Sequence, residues 1–165
     1  MTLQSSDYTA IGSGVVALCA LIVSIIQVRA VMQHNRLQTR PLVDVYFGLD
    51  HNLAVLELRN HGLGPAIIKS ILAKYKGRTY ELTSPKELDE LAKQYPQHLL
   101  GNIATHTYYI SPDTPIRPGT DLVVFMFTEP KNKDALNAAH ELMDNLHVSV
   151  TYKCIYGNQM QASSL

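Results

Sequence analysis

The sequence predicts a mainly β protein: one N-terminal transmembrane helix, then an antiparallel, immunoglobulin-like β-sandwich with two inserted helices. Three observations predict it. Residues 8–28 carry no charged side chain, although the 165-residue chain is 17% charged with a formal net charge of zero. After Pro41, short runs of alternating apolar and polar residues recur between Gly, Pro, Asn and Asp clusters. Two other stretches open with helix-capping residues and then repeat their apolar positions every three or four residues. The organisation that follows is a short extracytoplasmic N-terminus (1–7), a transmembrane helix with its stalk (8–40) and a cytosolic sandwich domain (41–165).

The first element is the apolar stretch. As a helix, its roughly 21 residues span ~31 Å, the hydrocarbon thickness of a bilayer. A cleaved signal would need a basic region in front of the apolar core, but Asp7 is the charged side chain there, and Arg29 interrupts the place of a small-residue cleavage site. Arg29, Arg36 and Arg40 follow the span and no Lys or Arg precedes it, so the positive-inside rule puts the N-terminus outside. Ala10, Ser13, Ala17, Ala20, Ser24 and Gln27 succeed one another at spacings of three and four. Small residues let helix backbones approach in lipid and polar ones can bond across the contact, so this seam predicts a homo-oligomer. A pore is the stronger form of that expectation, with Ser24 and Gln27 facing water. The helix continues as a stalk until Pro41, which resists helix before it and is the expected hinge.

The sandwich elements follow in order. Residues 42–49 and 53–60 alternate as half-buried strands around an Asp50-His51-Asn52 turn. Asn60, Gly62, Gly64 and Pro65 form a structural turn, because two glycines and a proline cannot continue a strand. Residues 66–82 read as two strands joined at Lys76-Gly77. A helix is predicted over 84–95, with Ser84 as cap, Pro85 in the first turn and Glu87 completing a capping box. Residues 105–111 read as a strand, and another follows the Pro118-Gly119 turn. Residues 131–145 read as a second helix with Leu136, Ala139, His140 and Met143 on one face. A long strand from 146, a Gly157-Asn158 turn and a short last strand complete the chain.

This order of segments carries a resemblance. An N-terminal span, RPLVDVYF at 40–47, the L-x-L-x-N-x-G-x-G-P-A turn at 56–66, RPGT at 117–120 and V-x-V-x-Y-x-C-I-Y-G at 148–157 look like a group of uncharacterised bacterial single-pass membrane-anchored β-sandwich proteins. The resemblance covers most of the chain. It implies the sandwich fold and a bacterial inner membrane, and it implies no activity. The layout is also similar to that of bacterial antiviral membrane effectors, in which a β-domain senses a signal and the spans assemble to damage the membrane.

Catalytic and ligand-binding patterns are sparse. Cys19 and Cys154 have no partners at disulfide or metal spacing. Among the seven histidines, His140-Glu141 begins an H-E-x-x-H pattern, but Asp144 stands where the second histidine must be. There is no G-x-S-x-G elbow. Gly62 and Gly64 lead into a strand without the lysine of a phosphate loop. Tyr108, Tyr109, Tyr152 and Tyr156 could form an aromatic face but lack interleaved basic residues, and Lys69, Lys74, Lys76 and Arg78 read as a lysine-guarded edge. The expectation is therefore a protein that is not an enzyme and has no catalytic residues, cofactor or metal. Its partners would be the lipid bilayer, further copies of itself, and a protein or small signalling ligand on the cytosolic domain, with no nucleic acid. Its role would be membrane-disrupting effector or, as the alternative, a tethered scaffold or adaptor that recruits a partner to the inner membrane.

Overall fold

A computed structural model describes the backbone from Ser5 to Ser164 and the side chains from Ile11 to Ser164. Two compact units result, a helical one ending at Gln38 and a second one beginning at Thr39. The first is helix α1, Ser5–Gln38, 34 residues without a break. It starts ahead of residue 8, and Arg36 in its last turn complements the negative end of the helix dipole. Its described apolar side chains lie open, Val16 at 68% exposure among them. The segment Ile11–Gln38 is long and apolar enough to cross a membrane.

The second unit is the expected sandwich. One antiparallel sheet has the order β1 (Val43–Asp50), β2 (Leu53–Asn60), β7 (Asp121–Thr128), β5 (Ala104–Thr107). The other has the order β4 (Arg78–Glu81), β3 (Ala66–Tyr75), β8 (Leu146–Lys153), β9 (Gln159–Ser163), with β6 (Pro115–Ile116) beside β3. Alternation decides what each strand buries: Val43 and Val45 point inward while Asp44 and Tyr46 face solvent. Leu56, Leu58, Phe125 and Phe127 from the first sheet meet Ile68, Ile71, Val148 and Val150 from the second in one core. Burying each such side chain stabilises the fold by about 1.5–3 kcal/mol. Phe127 sits between two rings, edge-on to Phe125 at 4.8 Å and tilted against Tyr95 at 4.9 Å.

Strand pairing defines two ends. Val43 pairs with Asn60, Arg59 with Asp121, Ala66 with Ile116 and Ile67 with Lys153, so the chain joins the sandwich at this near end. At the far end Asp50 pairs with Leu53, Leu53 with Thr128, and Tyr75 with both Arg78 and Leu146. Helix α2 (Pro85–Ala92) lies against β4 and β5, and α3 (Lys133–Asp144) lies against β2 and a 3-10 helix, Gln97–Asn102.

Four local expectations change. The strand read over 105–111 is only β5, Ala104–Thr107, because the chain leaves β7 after Tyr108 N–H donates to Val124 O. The 3-10 helix was not foreseen. Ser84 occupies the N-cap of α2 without a side-chain bond, and Glu87 instead accepts from the Glu81 N–H, so the capping box is not formed. The buried stripe of α3 is Ala135, Ala139, Leu142 and Met143, not Leu136, Ala139, His140 and Met143. Ala135 is wholly buried, and its carbonyl accepts the Tyr95 hydroxyl at 2.9 Å.

Candidate functional site

The near end is built around one buried polar residue. Asn60 is in phase with Leu56 and Leu58 on β2, so alternation turns its amide inward, and it is 1% exposed. A buried amide must find partners for two N–H groups and two lone-pair directions. Its Oδ1 accepts from Leu42 N–H at 3.2 Å and Gly62 N–H at 3.1 Å. Its Nδ2 donates to Gly64 O at 2.8 Å and Ile116 O at 3.1 Å. Its own backbone donates to Thr120 O and accepts from Gly119 N–H. Asn60 thus ties together the incoming segment 39–42, the turn 60–66 and the loop 114–120.

The glycines of the turn make this approach possible. A Cβ on Gly64 would lie 1.8 Å from Thr39 O, and one on Gly62 would lie 2.3 Å from Leu42 N and 2.5 Å from Arg40 O. Both contacts are with backbone, which cannot rotate away. His61 N–H closes the other side on Leu42 O at 2.8 Å. Pro41, the expected hinge, is buried within this socket. Asn60 ends β2, and Pro65 leads from Gly62 and Gly64 into β3. What the sequence reading missed is the convergence on Asn60. Its signal was there: an amide in the inward phase of an apolar strand, two residues before a glycine.

The helical seam is placed as follows. The side chain of Ala10 lies outside the described residues, while Ser13, Ala17, Ala20, Ser24 and Gln27 are exposed along α1. Ser24 Oγ donates to Ala20 O at 2.8 Å, so its hydroxyl proton is satisfied within the helix. Further on, Gln38 Nε2 lies 2.9 Å from His34 Nε2.

The remaining polar groups are dispersed. Among the described residues no three or more His, Cys, Asp or Glu side chains gather as a metal site would require. Tyr152 is buried, with Val43 N–H pointing to its hydroxyl at 3.4 Å, whereas Tyr108, Tyr109 and Tyr156 are exposed, so the four tyrosines do not make one stacking face. Lys69 pairs with Asp113, Arg78 with Glu90, and the Arg78 guanidinium lies 4.8 Å from the Tyr80 ring. On the outer face of β2, Arg59 hydrogen-bonds Glu57 at 2.9 and 3.1 Å and stacks 3.3 Å over Tyr46. The bond to Glu57 holds the guanidinium above its ordinary pKa. Burial likewise pushes the Tyr95 hydroxyl above its usual range. A far-end cleft of about 310 Å³ is bordered by His51, Lys131, Asn132 and Lys133. Its polar groups also build the start of α3: Asn132 Oδ1 caps Ala135 N–H and Lys131 Nζ donates to Gly101 O, both at 2.8 Å.

Fold and site together define a β-sandwich led by a membrane-length helix, whose polar centre serves to seat its own chain. The chain belongs to a family described as a domain of unknown function, DUF8453, which matches residues 8–165. No curated protein matches it. Among solved structures, it is similar to the archaellum periplasmic stator protein FlaG from Sulfolobus acidocaldarius, at 10% identity and a TM-score of 0.30, over 76% of this chain and 100% of that one. It is also similar to a chain in the archaellum periplasmic stator complex of FlaF and FlaG from the same organism, at 10% identity and a TM-score of 0.28, over 74% and 87% of the two chains. At these scores the likeness carries no functional argument.

Proposed function

We propose that this protein is a non-enzymatic, membrane-anchored scaffold or adaptor. Helix α1 crosses the bilayer, and the sandwich is a binding module held beside it. One observation carries the reading: the apolar side chains of α1 are open along its length, while the sandwich has a closed core of its own. In water such a helix would expose far more apolar surface than a soluble protein tolerates, and a bilayer removes that cost. Arg29, Arg36 and Arg40 support a cytoplasmic sandwich. The test replaces residues 8–28 with an unrelated apolar span and compares the proteins labelled by a proximity enzyme fused to the sandwich. A scaffold keeps its neighbours through the swap, and their loss sinks this reading.

A second reading, self-association, is favoured by the open seam at Ser13, Ala17, Ala20, Ser24 and Gln27. Its sharper form is a membrane-permeabilising effector of antiviral defence. That form needs Ser24 and Gln27 on a water-filled lumen, and the bond from Ser24 to Ala20 O removes half of the need. Cross-linking of the full chain with Ala17→Leu and Ala20→Leu tests the contact. Dye uptake on induction, with and without Ser24→Leu and Gln27→Leu, tests the lumen.

A further inference from the structure

Among the described residues of the sandwich, the most exposed large apolar side chain is Leu63, at 75%, on the crest of the glycine turn. It has company. Leu42 is 60% exposed where the chain joins the sandwich, and Ile155 and Tyr156 are 52% and 44% exposed on the turn after β8. Register places these residues at one end. Leu42 adjoins Val43, which pairs with Asn60 at the start of the glycine turn. Ile67, one residue beyond that turn's end, pairs with Lys153 at the start of the other. The backbone that holds Leu63 out is clamped by Asn60, so the turn cannot fold the side chain away.

The turns of the same end are richer in basic than in acidic side chains, while Asp44 and Asp121 at its strand starts stand beside Arg59. The segments 39–42, 60–66, 111–120 and 153–158 contain Arg40, Arg117 and Lys153, against Asp113 as the acidic residue, and Asp113 is already paired with Lys69. The far-end turns mix Asp50, Glu129 and Asp144 with Lys76, Arg78, Lys131 and Lys133. Apolar side chains ringed by basic ones fit the boundary between lipid phosphates and acyl chains. The chain keeps this end close to such a surface. From Arg29 to Gln38 the helix rises at most ~15 Å, of which the headgroup layer takes ~5–7 Å. That leaves at most ~10 Å between the headgroups and the end of the helix, which the ordinary tilt of about 20° shortens by ~1 Å and a helix seated deeper in the bilayer closes.

We propose that the near end of the sandwich is a second membrane contact, specific for anionic lipid. Leu42, Leu63, Ile155 and Tyr156 enter the interface, and Arg40, Arg117 and Lys153 meet the phosphates. The inference rests on α1 being a membrane span. The chain has no tryptophan, so Leu63→Trp supplies a single fluorescent reporter. The full chain carrying it is reconstituted in phosphatidylcholine vesicles with and without phosphatidylglycerol, and bromine-labelled lipid is added as quencher. Leu100→Trp, on the far-end 3-10 helix, is the control. The expected result is a blue-shifted Leu63→Trp emission that loses about half its intensity to brominated lipid, more with phosphatidylglycerol, and an unquenched control. Arg117→Glu with Lys153→Glu abolishes the phosphatidylglycerol dependence. Alkaline extraction separates the two ways of failing. Release of the chain by alkali overturns the membrane span and this contact together. A chain that resists alkali but shows no quenching of Leu63→Trp, or equal quenching of both reporters, overturns the contact alone. So does a blue shift that persists in detergent and grows with protein concentration, which would assign this end to a second copy of the chain.

Discussion

Helix α1 and the sandwich are made of the same apolar residues used in opposite ways. On α1, Val16, Leu21 and Ile26 are more than half exposed. In the sandwich, Leu58, Ile71 and Val150 are wholly buried. The polar residues reverse in the same manner. Ser24 satisfies its hydroxyl on its own helix, whereas Asn60 finds Gly62 and Gly64 nearby but needs Leu42 and Ile116, distant in sequence, for its other two bonds. One unit expects its solvent to be apolar and keeps its hydrogen bonds local. The other makes its own apolar interior and must bridge across it.

That contrast can be broken most strongly at Gly64. Gly64→Ala places a methyl group against the Thr39 carbonyl, and the only relief is to lift the incoming segment off the turn. We expect a loss of about 4 kcal/mol or more, read as a large drop in the melting temperature of the β signal in circular dichroism, with α1 helicity unchanged. Asn60→Leu comes next. It removes four side-chain hydrogen bonds and leaves buried backbone groups unpaired, for a loss of about 3 kcal/mol in the same assay.

Tyr95→Phe gives a smaller effect with a pH signature. The native hydroxyl is held protonated by burial, so its pKa is raised on folding. Its contribution is therefore fully present below the ordinary tyrosine value of about 10 and is lost as pH rises beyond it. Melting curves from neutral to alkaline pH are expected to show a larger alkaline drop in stability for the parent chain than for Tyr95→Phe, since Lys93 beside Asp89 contributes its own alkaline loss to both. At neutral pH the variant loses about 1 kcal/mol with the bond to Ala135. The smallest effect sharpens the contrast from the other side. Ala17→Leu on α1 is expected to leave the melting of the sandwich within ~0.5 kcal/mol of the parent, because no described residue of α1 belongs to the sandwich core. A large shift there would show that the helix contributes to the sandwich's stability.

Much of the sandwich could be read in advance because its information is local. The alternation of Val43 to Leu49, the Lys76-Gly77 and Gly157-Asn158 turns and the Asn60-Gly62-Gly64-Pro65 turn each depend on neighbouring residues. The errors fall where a partner outside the element itself decides. Glu87 bonds the Glu81 N–H ahead of the helix instead of its cap, and Ala135 rather than Leu136 is buried, its carbonyl meeting Tyr95 from 40 residues away. The socket failed for the same reason. Its glycines announce a tight turn, but Thr39 as the thing approached lies about 25 residues upstream, and only strand register brings it there.

The assembly of the Asn60 cluster also sets an order of events during synthesis. Leu42 emerges early, directly behind the apolar helix, yet the Ile116 and Thr120 carbonyls that complete its anchorage are made roughly 75 residues later, or ~4–15 s at ribosomal speed. Until then Asn60 has unpaired groups and little reason to be buried. The helix therefore has several seconds to find a membrane while the chain behind it is still loose, and the clamp that fastens the sandwich to that chain closes only after Thr120 has been made.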